Sequence, residues 1–212
     1  MDEGFWHRRW QRNEIGFHES AANALLIEHF EASIGTPDSR VFLPLCGKTN
    51  DIGWLLARGH QVAGAELSRL AVDQLFKDLG IEPEIVDQGA LTRCSASGID
   101  IFVGDFFDLT AEGLGPVDAV YDRAALVALP AAMRRRYAAH LTRTTRAAPQ
   151  LLISFEYDQS LMDGPPFSVG GEEINELYAD RFEVTRLASV AVAGGLKGRC
   201  PATEHVWLLR TA

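Results

Sequence analysis

The chain has 212 residues, of which 47% are hydrophobic and 23% charged, and a formal net charge of −9. That length suits one large α/β domain with added segments, and the composition is not that of a disordered chain. The acidic balance argues against a broad electrostatic footprint for nucleic acid and leaves a small, neutral or weakly charged substrate as the expectation.

The N-terminal segment MDEGFWHRRWQRN carries charge and tryptophan where a signal peptide needs an unbroken apolar run. No stretch approaches the roughly 20 apolar residues of a membrane helix. Cys46, Cys94 and Cys200 are odd in number and form no CxxC pair, so free thiols in a reducing cytoplasm are expected. There is no repeat, linker or dedicated association motif. Residues 1–212 therefore read as one domain and as a monomer.

Along the chain, Ala22, Leu25, Leu26, His29 and Phe30 recur at helical spacing within residues 20–31. Arg40–Pro44 reads as a short buried strand, followed by a helix over Asp51–Arg58 that Gly59 ends. Gln61–Ala65 is a second strand. Ser68 is placed to cap a helix running to Leu79 and stopping at Gly80. Glu84–Asp87 and Ile99–Val103 read as strands, while 89–97 has no clear period. Val117–Tyr121 is a buried strand, and Pro130 starts a helix with Met133, Tyr137 and Leu141 on one side. Arg134–Arg136 reads as a solvated face of that helix. Gln150–Tyr157 has the continuous apolar character of a central parallel strand. A short helix near Glu172–Ala179 and two strand-like runs, Phe182–Ala193 and Thr203–Leu209, close the chain. Alternating strands and helices closed by two consecutive strands predict an α/β fold: a doubly wound, mostly parallel sheet with an antiparallel C-terminal edge hairpin.

The most informative segment is Val41–Lys48 (VFLPLCGK), where a buried strand ends in a tight loop that enters a helix. Gly47 allows backbone to approach a polar ligand there. Glu66 ends the next strand, 21 residues after Leu45, where an acidic side chain can accept hydrogen bonds from both hydroxyls of a ribose. By itself Glu66 reads equally well as a solvated strand-end carboxylate, and Gly47 as a turn glycine. No GxGxxG occurs, and a pyrophosphate generally needs several close backbone approaches. The single-glycine loop therefore favours a sulfonium cofactor over a dinucleotide.

Several patterns coincide in order: FWHRRW at 5–10, GFH at 16–18, LPLCGK at 43–48, RGHQVAGAELS at 58–68, GDFFDL at 104–109, YDRAALVAL at 121–129, SFEYD at 154–158 and GPPF at 164–167. Together they resemble the thiopurine S-methyltransferase family over roughly positions 5–167. The resemblance implies a Rossmann-like class I methyltransferase fold, S-adenosylmethionine as cofactor, S-adenosylhomocysteine as product, and no metal. It also implies that residues 1–35 form a helical cover over the active site. Trp10 would cover the cofactor, Leu45 would supply loop backbone near its methionine end, and Glu66 would hold its ribose. Asp105 and Phe106 would border the adenine. Arg123 would face the methionine end and the substrate, as both cofactor contact and catalytic residue. Phe17 would be a substrate-side wall.

Each assignment has a plainer rival. Trp10 could anchor its segment to the core, and Arg123 could pair with Asp122 or another acid. His18 reads as a base or as a hydrogen-bonded structural histidine, Cys46 as a small buried thiol, and GPPF as a lid, a pocket edge or a rigid turn. Val192–Cys200 (VAGGLKGRC) is glycine-rich where members of the family carry a more basic loop, so no substrate contact is transferred to Lys197 or Arg199. The implied reaction is in-line methyl transfer to a small aromatic or heterocyclic thiol, with selenium or tellurium species as further acceptors. The rivals are O- or N-methylation of a specialised metabolite, a non-catalytic cofactor-binding protein, and NAD-dependent redox chemistry.

Overall fold

The computed structural model describes residues 3–16 and 18–211. Its first helix, α1 (Glu3–Gln11), precedes α2 (Ala24–Ser33). The α2 helix starts later than its apolar spacing indicates. The Asn23 side chain accepts the amides of Leu25 and Leu26, and the Asn23 amide is itself held by Asp51 Oδ1 at 2.7 Å. A tertiary contact thus sets this cap.

Strands and helices then alternate: β1 (Arg40–Leu43), α3 (Asn50–Ala57), β2 (Gln61–Glu66) and α4 (Arg69–Leu79). Thr49 caps α3 and Ser68 caps α4, while Gly80 ends α4 in the left-handed region. Three strands follow in succession: β3 (Glu84–Gln88), β4 (Leu91–Ala96) and β5 (Ile99–Val103). The remainder comprises α5 (Ala111–Leu114), β6 (Ala119–Arg123), α6 (Ala131–Thr144), β7 (Gln150–Tyr157), α7 (Gly171–Tyr178), β8 (Glu183–Ala191) and β9 (Ala202–Arg210).

All nine strands join one sheet in the order β3-β4-β5-β2-β1-β6-β7-β9-β8. The five central strands, β5 to β7, run parallel, and β9 and β8 add an antiparallel hairpin beside β7. The opposite edge is reversed as well, because β3, β4 and β5 form an antiparallel meander. Its two connections are two residues long and each contains a glycine at positive φ, Gly89 at 81° and Gly98 at 78°, the backbone such hairpins demand. All of β3 is exposed, so neither face imposes the alternation by which a strand is recognised.

Alternate residues of each central strand face opposite layers. Phe42, Val120 and Leu152 pack under α6 and α7 with Tyr137, Leu141 and Ile174. Val41, Tyr121 and Ile153 pack under α2, α3 and α4 with Phe30, Ile52 and Val72. Arg134 departs from the solvated face expected of it. It is 5% exposed, pairs with Glu173 through two bonds of 2.6 and 2.9 Å, and donates to the Leu129 carbonyl. One arginine of the run therefore ties α6 to α7.

Candidate active site

In this sheet the strand order turns between β1 and β6, so their carboxyl ends diverge and leave a crevice where open α/β sheets bind ligands. A cavity of about 1120 Å³ occupies it. That exceeds the ~300–1,000 Å³ of an ordinary single-ligand pocket and leaves room for two small molecules. Trp10, Leu45, Glu66, Asp105, Phe106 and Arg123, read from separate stretches of the sequence, all line this cavity. Phe17 lies outside the described residues.

The loop after β1 is built around backbone that favours glycine. Leu45 has φ 47° and Gly47 φ 55°, and Cys46 anchors the turn by donating its amide to the Ala65 carbonyl at 3.0 Å. A leucine in the left-handed region is strained, and such strain clusters where a loop must present its backbone to a ligand. Burial raises the Cys46 thiol well above its ordinary pKa, so it is an inert packing group rather than a nucleophile.

Glu66 is 6% exposed and not solvated. Its Oε2 accepts the Gly47 amide at 2.7 Å and its Oε1 accepts the Ser68 amide at 2.8 Å. Burial raises its pKa, while the backbone amides of Ser68, Gly47 and Leu67 pull it back. Each carboxylate oxygen has capacity for a further hydrogen bond, which is the arrangement that can grip a vicinal diol.

Asp105 caps the short turn Phe106–Asp108 by accepting the Phe107 amide at 3.0 Å. The Phe106 ring lies mostly in the core, stacked on Phe42 and edge-on to His140, and only borders the cavity. Phe107, which the sequence reading passed over, is the half-buried aromatic beside it, with the Arg136 guanidinium 3.7 Å above its ring. Both line the cavity, so Arg136 is a wall residue as well as an exposed helix residue.

Arg123 ends β6 and is followed by Ala124 at φ 62°, a second non-glycine residue in the left-handed region. Its guanidinium pairs with Glu19, and Asp51 Oδ2 lies 3.8 Å away. Asp122 points to the other face. There it accepts the Tyr137 hydroxyl at 2.7 Å and the Leu126 amide at 3.1 Å, and burial raises it to about 6. Of the plainer alternatives for Arg123, pairing with Asp122 is not found and pairing with another acid is: Glu19, with Asp51 nearby. Neither acid was singled out in the sequence, although Glu19 follows GFH directly and Asp51 opens the helix after LPLCGK.

Two more groups complete this end of the cavity. The buried Tyr121 hydroxyl faces Asp51, and burial followed by the charge of Asp51 keeps the phenol protonated. His18 lacks a partner at Nδ1 among the described residues. Burial lowers its pKa first, Lys48 and Arg123 lower it further, and Asp78 and Asp51 oppose them. Its imidazole is therefore neutral near pH 7 and able to accept a proton.

α1 and two internal loops contribute the rest of the cavity lining. Trp6, Arg9 and Trp10 of α1 line the cavity together with Pro165, Pro166, Leu196 and Lys197, and Trp10 is 4% exposed. GPPF is a pocket edge, held by bonds from Tyr157 Oη to the Pro166 carbonyl at 2.6 Å and from the Phe167 amide to Val127 at 2.7 Å. A second depression of about 670 Å³ lies at the opposite end of the strands. There Arg40 and Arg93 share Asp100, so the charges satisfy one another. No described group of three or more His, Cys, Asp or Glu is placed to hold a metal ion, and no described helix is long and apolar enough to cross a membrane.

Comparison with known proteins agrees with this architecture. A solved 1,6-didemethyltoxoflavin-N1-methyltransferase from Burkholderia thailandensis, crystallised with its substrate and S-adenosylhomocysteine, superposes with a TM-score of 0.67 at 16% identity. The match covers 99% of this chain and 87% of that one. A TehB-like SAM-dependent methyltransferase from Corynebacterium glutamicum gives 0.59 at 13% identity, over 99% and 98% of the two chains. At such identities these two establish the fold. Curated relatives named thiopurine S-methyltransferase are much nearer. One from Xanthobacter autotrophicus is 60% identical over the full length of both chains, and one from Teredinibacter turnerae is 50% identical over 99% of this chain and 97% of its own. The thiopurine S-methyltransferase family model matches residues 1–208, and the chain belongs to that family of S-adenosylmethionine-dependent methyltransferases.

Proposed function

We propose that this protein transfers the methyl group of S-adenosylmethionine to the sulfur of a small aromatic or heterocyclic thiol. The observation that carries this reading is the convergence of the Leu45–Gly47 loop, Glu66, Arg123 and Trp10 on one covered cavity, in a chain of this family.

The residues present fit the donor. Glu66 keeps one acceptor position on each oxygen for the ribose hydroxyls, and the strained Leu45–Gly47 backbone faces the space where the amino-acid end would lie. Asp105 and Phe107 would flank the base, and Trp10 excludes water from above. When bound, S-adenosylmethionine supplies an electrophilic methyl carbon on a sulfonium, and its displacement leaves neutral S-adenosylhomocysteine. The protein's work is then alignment and desolvation rather than covalent catalysis. Arg123 supplies positive charge opposite the incoming sulfur, and its pairing with Glu19 and Asp51 aims the guanidinium before substrate arrives. His18 is neutral and can take the proton of a thiol that has not already ionised.

Purified protein, labelled S-adenosylmethionine and matched acceptors (thiophenol, phenol and aniline) test the reading. Label is expected in thiophenol at least tenfold faster than in the other two. Faster labelling of phenol or aniline would reassign the acceptor atom, and calorimetric binding of S-adenosylhomocysteine without any transfer would make the chain a binding protein.

A further inference from the structure

Two chains of serine, histidine and glutamate stand outside the methyl-transfer cavity, and they differ in where the serine proton goes. In the first, Ser39 Oγ lies 3.0 Å from His60 Nδ1, and His60 Nε2 lies 3.2 Å from Glu31. Ser39 is 2% exposed and donates its hydroxyl to the Thr36 carbonyl at 2.8 Å, so its proton is committed and the chain is structural. In the second, Ser189 Oγ lies 2.8 Å from His205 Nδ1, and His205 Nε2 lies 3.0 Å from Glu156 Oε2. Ser189 is exposed on the edge strand β8, and among the described residues its hydroxyl has no other partner. A carboxylate only accepts, so Nε2 carries the hydrogen that Glu156 receives. That tautomer leaves Nδ1 bare to take the Ser189 proton, the arrangement of an activated nucleophile.

This second chain crosses three strands. Ser189 is directly opposite His205 in the β8–β9 pair, and Glu156 of β7 is diagonal to His205, its own partner being Thr203. A register shift between Arg186 and Ala188 puts the serine on this face. Arg186 pairs with Trp207 and Ser189 with His205, so residues three apart share a face that regular alternation would deny them. His205 is 5% exposed and packs on Trp207, with ring centroids 5.7 Å apart. Gly170, which opens α7, closes on Glu156: a Cβ there would stand 3.1 Å from the carboxyl carbon. The imidazole is thus held while the hydroxyl stays open to solvent. Arg186 lies over the Trp207 ring at 5.8 Å and, among the described residues, pairs with no carboxylate.

We infer that Ser189, His205 and Glu156 form a second reactive site, an acyl-accepting serine that takes small activated carboxylic esters. Ser189 Oγ attacks the ester carbonyl carbon as its proton passes to His205 Nδ1, and Glu156 balances the imidazolium. The bond from that carbon to the leaving oxygen then breaks, the leaving oxygen takes the proton from Nδ1, and acyl-Ser189 remains. Water attacks the acyl-serine by the same route, so ester and water give acid and alcohol. Arg186 supplies positive charge on the same face for the oxyanion of each addition. Ser189 stands on an open strand edge, so reactivity rather than shape selects the ester, and turnover is slow. None of these four residues lines the methyl-transfer cavity, and the inference stands apart from the thiol-transfer reading.

The probe is p-nitrophenyl acetate, with p-nitrophenol release followed at constant pH and the acetylated residue mapped by peptide mass spectrometry. The unaltered protein is expected to release p-nitrophenol at least about tenfold faster than Ser189→Ala, with acetyl found on Ser189. His205→Gln should fall to the rate of Ser189→Ala, and Arg186→Met should lose about threefold. Because His205 is buried and its replacement disturbs the hairpin, the surface change Ser189→Ala is the deciding variant. Its calorimetric affinity for S-adenosylhomocysteine should equal that of the unaltered protein, which shows an intact fold and two separate sites. Equal release by the unaltered protein and Ser189→Ala, or acetyl confined to other residues, would overturn the inference.

Discussion

Glu66 Oε2 accepts the Gly47 amide at 2.7 Å, so the last residue of β2 holds the loop that follows β1. The same carboxylate holds the Ser68 amide at the start of α4. One side chain thereby fixes two turns and the distance between them.

Glu66→Gln would set an NH₂ group against one of these two amides and leave a buried donor unsatisfied. The expected cost is about 1–3 kcal/mol, seen as a fall of several degrees in Tm. Affinity for S-adenosylhomocysteine should drop at least tenfold by calorimetry. Unchanged affinity in a folded variant would remove Glu66 from the donor site.

The Arg123–Glu19 pair joins the end of β6 to the segment that follows α1. Glu19 is further fixed by Asn50 Nδ2, which donates to its carbonyl at 2.7 Å. Arg123→Lys is expected to lower kcat about tenfold, and Glu19→Gln to lower kcat/KM by a smaller factor while exposing α1 to protease. A double-mutant cycle on kcat/KM should give a coupling above ~0.5 kcal/mol. Additive losses would mean that the ion pair does not position the arginine.

Ala124 and Leu45 share left-handed backbone, with φ of 62° and 47°, but differ in what their side chains do. Ala124→Gly removes a steric cost of about 1–2 kcal/mol and regains flexibility only in the unfolded chain. A net gain near 1 kcal/mol, or about 2–4 °C in Tm, is expected. Leu45 packs against the core, so Leu45→Gly should destabilise instead. A lower Tm for Ala124→Gly would refute the strain assigned to that turn.

Asp122 titrates near 6 because burial opposes its charge. Its carboxyl holds a proton more tightly in the folded than in the unfolded chain. The resulting stability is present below about pH 4 and lost as pH rises through 6. Asp122→Asn lacks this titration, so its stability relative to the unaltered protein should improve between pH 4 and 7 by on the order of 2–3 kcal/mol. Urea unfolding at three pH values measures the difference, and a flat difference would assign the effect elsewhere.

Much of this molecule was written locally. The helices over 50–57 and 69–79 follow from Thr49 and Ser68 caps and terminal glycines, and the central strands from apolar runs of the right length. The meander at 84–103 was less legible, because β3 is exposed on both faces and carries no period. Arg134 reads as solvated within its run of three arginines, and only the approach of α7 with Glu173 buries it. Trp10, Leu45, Glu66, Asp105, Phe106 and Arg123 were each nameable from a motif.

Their meeting was not. What the sequence determined alone was the set of strand ends, caps and motif residues, since those depend on neighbours within a few positions. The tertiary structure decided which charges face one another: Glu19 and Asp51, rather than Asp122, with Arg123. Strand pairing and a turn in strand order bring those groups together, and no local spacing encodes either.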